Sequence, residues 1–108
     1  MSTKDQLREV MRLAHQFIRK NGMGLSEALK IAWANIKLKM AMKSRIVKFY
    51  FVKVSGEIRE AWGTLAEGLV PQVGESGRKP NDTLQVYYDS EKEGWRSFKK
   101  ANLLRIVA

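Results

Sequence analysis

Apolar positions along the chain follow two different periods, and the change falls near Lys43. From residue 3 to residue 42 they recur at threes and fours, the spacing of an amphipathic helix. In the first part Leu7, Val10, Ala14, Phe17 and Ile18 make one stripe. Thr3 followed by Gln6 fits a capping box, in which the hydroxyl accepts a free helix N–H and the amide answers in return. Arg19 and Lys20 suit the negative end of that helix, and Asn21-Gly22 supplies a stop. A second helix is expected to begin near Ser26, a good N-cap residue. Its stripe is Leu25, Ala28, Leu29, Ala32, Trp33, Ile36 and Met40, with Trp33 expected in the core. Only Gly-Met-Gly separates the two helices, which predicts an antiparallel αα-hairpin.

Beyond Lys43 the runs are short and dense in β-branched and aromatic residues. "RIVKFYFVKV" reads as a strand, with Ser55-Gly56 as a hairpin turn and "EIREAWGTLA" as the returning strand. Gly63 within it marks a candidate bulge or bend. Residues 67–83 form a long loop, followed by "LQVYYD", the turn "SEKEG", "WRSF", a short "KKAN" turn with 3₁₀ character, and "LLRIV". The predicted class is α+β: a helical hairpin segment over 1–43, then a five-stranded SH3/Sm-like antiparallel barrel over 44–108. An open antiparallel sheet packed on the hairpin is the alternative.

Composition narrows the chemistry. The 108 residues contain no Cys, which removes disulfides, thiol nucleophiles and thiolate metal sites. The start, "MSTKDQLREV", has no apolar signal-peptide core, and no apolar run reaches the roughly 18 to 20 residues of a membrane span. A cytoplasmic protein with no membrane partner is expected. His15 is the single His and lies beside the first stripe, without a sequence cue for an orienting partner. "GESGRK" lacks the spacing of a phosphate-binding loop. Glu57, Glu60, Asp89, Glu91 and Glu93 read as solvated turn charges. These observations predict no enzyme activity, no metal and no cofactor.

The formal charge of +9 points instead to a polyanionic partner. Residues 1–43 hold nine Lys and Arg against three Asp and Glu, so the helices carry most of the excess. In the barrel segment the candidate contact residues are Arg78 and Lys79 in the long loop, and Trp95, Arg96, Lys99, Lys100 and Arg105 near the C-terminus. Tyr87, Tyr88 and Trp95 offer either stacking surfaces for unpaired bases or core packing. Arg96 and Phe98 share one side of an ideal strand, although a buried Phe98 and an exposed Arg96 are wanted. Either Arg96 sits at an open barrel end, or it is buried against Asp89 or a Glu.

The stretch "VYYDSEKEGWRSFKKANLLRI" resembles the end of a WYL-type domain: an aromatic strand at Tyr87, Tyr88 and Asp89, then Arg96-x-Phe98, then a final apolar strand from Leu103 to Ile106. With the "LSEALKIAW" helix before it, the chain is similar to the small Sm-like, SH3-type barrel proteins grouped with WYL domains in phages and gut bacteria. The resemblance implies a barrel that binds nucleic acid or a nucleotide-like ligand.

Three functions follow as expectations. The first is a small accessory protein binding DNA or RNA through its positive surface. The second is a nucleotide sensor or sequestering protein with Arg96 on a phosphate. The third is an interaction module whose helices bind a protein partner or a second copy. A rigid pocket around Arg96 favours the second, and an exposed Leu29-Trp33-Ile36 stripe favours the third.

Overall fold

The structure, a computed structural model, describes residues 3–70 and 82–107, so Arg78 and Lys79 lie outside the described residues. Two helices, α1 (Thr3–Asn21) and α2 (Leu25–Met42), precede five strands: β1 (Val47–Val52), β2 (Ile58–Thr64), β3 (Leu84–Asp89), β4 (Gly94–Lys99) and β5 (Leu103–Ile106). One turn of 3₁₀ helix, Lys100–Asn102, joins β4 to β5. The predicted helical hairpin followed by five strands is therefore present.

The helix ends differ from the capping expectations. Gly24, with no side-chain cap, precedes α2 where Ser26 was expected to start it. Thr3 is already the first residue of α1, and Gln6 Nε2 donates to Met40 Sδ at 3.1 Å.

On α1, Leu13 joins Val10, Ala14 and Phe17 in burial, while Leu7 is exposed. On α2 two faces are used, where the sequence suggested one stripe. Ala28, Ala32 and Ile36 pack against α1. Leu38 and Met42, both at 0% exposure, enter the core beneath the sheet. Ile36 and Leu38 point about 200° apart on a helix, so one helix serves two layers. Trp33, expected in the core, is only half-buried at the edge of the helix–helix cluster. Leu25 and Met40 are exposed for the same reason: the stripe that packs turns away from them.

The sheet is antiparallel with strand order β4-β3-β2-β1-β5. It is not closed, since β4 and β5 form its two edges. It does curl. Phe98 on β4 lies 5.1 Å from Phe51 and 5.3 Å from Phe49 on β1, ring centre to ring centre. Three strand spacings in a flat sheet would separate those strands by about 14 Å. Tyr87 completes the aromatic core.

Two local devices permit the curl. At Gly63, the candidate bulge or bend, the pairing is regular and there is no bulge; an added Cβ would lie 2.7 Å from Tyr87 Cδ2 and 2.9 Å from Phe49 Cε1, so the glycine makes room for the rings where the sheet curls. The irregularity lies on β5, where Tyr50 pairs Arg105 and Phe51 pairs Leu103, leaving Leu104 over. That extra residue lets Leu103 and Ile106 both face inward although three positions apart. The β1–β2 turn is tied by Gly56 N–H to Lys53 C=O at 2.9 Å, with Gly56 at φ 95°.

Candidate functional site

The curled sheet leaves a seam where the β1–β2 hairpin approaches β4. A cavity of about 440 Å³ opens there, lined by Lys53, Arg59, Arg96 and Lys99 around Phe51, Tyr87 and Phe98. Strand register delivers two of the cations. Arg59 sits opposite Phe51, and Arg96 sits opposite Tyr87, so both arginines share the inner face. Among the described residues no carboxylate lines this cavity.

Two polar groups in this wall lack partners. Tyr87 is at 0% exposure and its hydroxyl makes no hydrogen bond of standard geometry, although the Arg59 side chain is near enough to lower its pKa; Arg59 Nε is also buried and unpaired. Arg59 Nη2 approaches Asp89 Oδ2 only to 3.8 Å, an ion-pair distance outside hydrogen-bond range. Burial raises the Tyr87 pKa, and the Asp89 charge raises it further, while Arg59 and Arg96 pull it down. Both guanidinium groups therefore act on the Tyr87 hydroxyl. Buried donors without partners are rare, and each asks what satisfies it. Lys53, within 3.9 Å of Glu57 Oε2, and Arg59, within 3.8 Å of Asp89, hold only loose ion pairs, and with Arg96 and Lys99 they gather around one space, an arrangement that suits an anion rich in acceptor oxygens.

A second cleft of about 380 Å³ lies between the helices and the sheet, lined by Arg12, Lys39, Lys43 and Lys100 with Glu9 and Asp82. Its chemistry is different. Arg12 is paired to Glu9 at 2.9 Å and to Asp82 at 2.7 Å. The Arg12 hydrogen bond holds the Glu9 carboxyl below its usual range. Lys100 is half-buried and its pKa is lowered, first by desolvation, with Arg12 and Lys39 adding to the effect and Asp82 opposing it. Asn35 donates to Ile31 C=O at 2.9 Å and to Lys100 C=O at 2.8 Å, which ties α2 to the 3₁₀ turn.

The structure divides the residues singled out in sequence. Arg96 and Lys99 come together in the seam cavity. Lys100, next in the chain, faces the helix cleft. Trp95 lies on the outer face of β4 against Tyr88, with ring centres 5.6 Å apart. Arg105 lies over the Tyr50 ring at 4.9 Å, also on the outer face. Tyr87 is a core ring and offers no stacking surface. Asp89, read as a solvated turn charge, is buried and accepts from the N–H groups of Glu91 and Lys92, both at 3.0 Å. Arg96 is exposed at the open seam and not buried against Asp89; Arg59 fills that role. Arg59 and Lys53 were absent from the sequence reading. Counting back by twos from Gly63 and Ala61 places Arg59 on the inner face, a signal that was available.

Strand order, the 3₁₀ turn before the last strand and the curled core define a small Sm-like, SH3-type fold. The chain belongs to the family described as WYL_2, Sm-like SH3 beta-barrel fold, which matches residues 35–104. The match starts inside α2 and leaves α1 outside it. Such a fold suggests a small binding module. No curated protein and no solved structure gives a significant match to the chain. Among the described residues no helix is long and apolar enough to cross a membrane, and no cluster of His, Asp and Glu is suited to a metal ion.

Proposed function

We propose that this chain is a non-catalytic, cytoplasmic nucleic-acid-binding module that holds a backbone phosphate in the seam cavity. One observation carries the reading: Lys53, Arg59, Arg96 and Lys99 line one cavity that no carboxylate among the described residues lines. Phosphate oxygens would accept from these donors, and each neutralised phosphate releases counterions. The cavity's volume supports a second reading, a free nucleotide, because small-ligand sites span about 300 to 1,000 Å³. The interaction-module reading has less support, since Ile36 is buried and Leu29 and Trp33 pack into the helix–helix cluster.

The test is fluorescence anisotropy with labelled DNA and RNA at low salt, comparing wild type with Arg96→Ala, with circular dichroism as the folding control. Binding by wild type and weakened binding by the folded variant are expected. Equal affinity of the two proteins would remove the seam from the reading. No binding of any oligonucleotide by wild type would remove nucleic acid as the partner.

A further inference from the structure

Trp95 and Arg96 are consecutive on β4, an edge strand. Alternation sends them to opposite sides of one backbone: Arg96 opposite Tyr87 into the seam cavity, Trp95 opposite Tyr88 onto the outer face. The outer face carries other aromatic rings, and cations occupy two of them, Trp62 and Tyr50. Lys48 Nζ lies 5.3 Å from the Trp62 ring centre, and Arg105 lies 4.9 Å from that of Tyr50. Among the described residues no cation covers Trp95. Its contact with Tyr88 is edge-to-face, at 70° between ring planes, and it remains 37% exposed. Tyr88 braces the indole without stacking on it, so a flat ring remains open beside the cationic seam.

We infer that Trp95 stacks an unpaired base, and that single-stranded nucleic acid crosses the β4 edge with one phosphate at Arg96 and a neighbouring base on Trp95. This rests on the phosphate reading above. Strand number is decided by the ring. In a duplex each base has its faces covered by neighbouring bases, and exposing one costs a few kcal/mol. An unpaired base has a free face, and every base has one, so the contact is tolerant of sequence. The edge strand suits this path because a chain crossing it reaches both faces of the sheet within one residue step. An apolar protein segment would fit Trp95 but not the adjoining Arg96 and Lys99.

The experiment compares wild type, Trp95→Ala, Trp95→Phe and Arg96→Ala by anisotropy. The probes are a labelled oligothymidine, its oligouridine counterpart, the abasic strand of equal length and the matching duplex. Wild type should bind the single strands more tightly than the duplex. Trp95→Ala should weaken single-strand binding roughly five- to hundredfold. It should leave binding of the abasic strand and the duplex unchanged, and Trp95→Phe should recover most of the loss. Matching thermal unfolding of the variants separates contact from folding. Equal binding of duplex and single strand by wild type would overturn the inference, as would unchanged single-strand binding by Trp95→Ala. If Arg96→Ala alone loses affinity, the phosphate reading stands and the stacking does not. If wild type binds none of the probes, both fail.

Discussion

The seam cavity and the helix cleft are similar in size and in their number of cations, yet they differ in what those cations already have. In the helix cleft Arg12 has two carboxylates within 3 Å, and Lys100 sits between like and unlike charges. In the seam, Arg59 meets only a distant Asp89 and Lys53 only a distant Glu57, at 3.8 and 3.9 Å, and Arg96 and Lys99 line a wall without carboxylates. The number of cations does not distinguish the two places. Pairing does: the closely paired Arg12 is part of the fold, whereas the loosely paired or unpaired seam cations are the ones the proposed phosphate would use.

The largest effect that would break this comparison is on affinity. Arg96→Ala should cut oligonucleotide binding by about ten- to hundredfold, the worth of a hydrogen bond to a charged group, while Lys39→Ala in the helix cleft should leave it unchanged. Parallel anisotropy titrations decide it, and equal losses would erase the distinction between the clefts.

Tyr87→Phe should raise stability by about 1 kcal/mol in urea unfolding, because it removes a buried hydroxyl that makes no hydrogen bond of standard geometry. A pH series sharpens the point. The folded chain keeps the Tyr87 proton to higher pH than the unfolded chain does. The unfolded state therefore loses its proton first, and this contribution to stability decays as pH rises above about 10. The difference between wild type and Tyr87→Phe should widen across that range. A constant difference would mean that the hydroxyl is not desolvated.

Arg12→Ala should cost no more than about 1 kcal/mol, since both of its ion pairs are solvent-exposed, and should not change binding. Its loss also returns Glu9 toward an ordinary carboxyl. The stability that Glu9 contributes is present above its unfolded pKa and disappears as pH falls through the folded one, so the variant's deficit should shrink in acid. The smallest expected effect is on salt dependence. Lys99→Ala should flatten the log K against log salt slope by about 0.7, one single-strand phosphate contact, and Lys100→Ala should leave it unaltered. Equal slopes would place the two lysines on one surface after all.

Local pattern made most of the elements legible. "LQVYYD" is β3 from its first residue to its last, and "KKAN" contains the 3₁₀ turn. Period alone could not show that α2 works on two sides, because a single stripe is what a moment along one axis reports. Leu38 and Met42 were therefore missed, and Trp33 and Met40 were placed too deep. The site was half legible. Arg96 and Lys99 are visible as charges beside an aromatic strand. Their convergence with Arg59 depends on a curl that brings β4 against β1, and no short window of sequence contains that contact. The same is true of Lys99 and Lys100, which sequence joins and the 3₁₀ turn parts.

The two methyl-rich side chains that α2 sends under the sheet bear on where this protein can be cut. Thr64 Oγ1 and Leu65 N–H both bond to the Met42 carbonyl, at 3.1 and 2.8 Å, so the end of the helix is fastened to β2 as well as buried beneath it. A fragment starting at residue 44 would keep every strand and lose part of its own interior. A transplantable unit has to begin upstream of Leu38, and anything fused ahead of it inherits the direction in which α2 leaves the sheet.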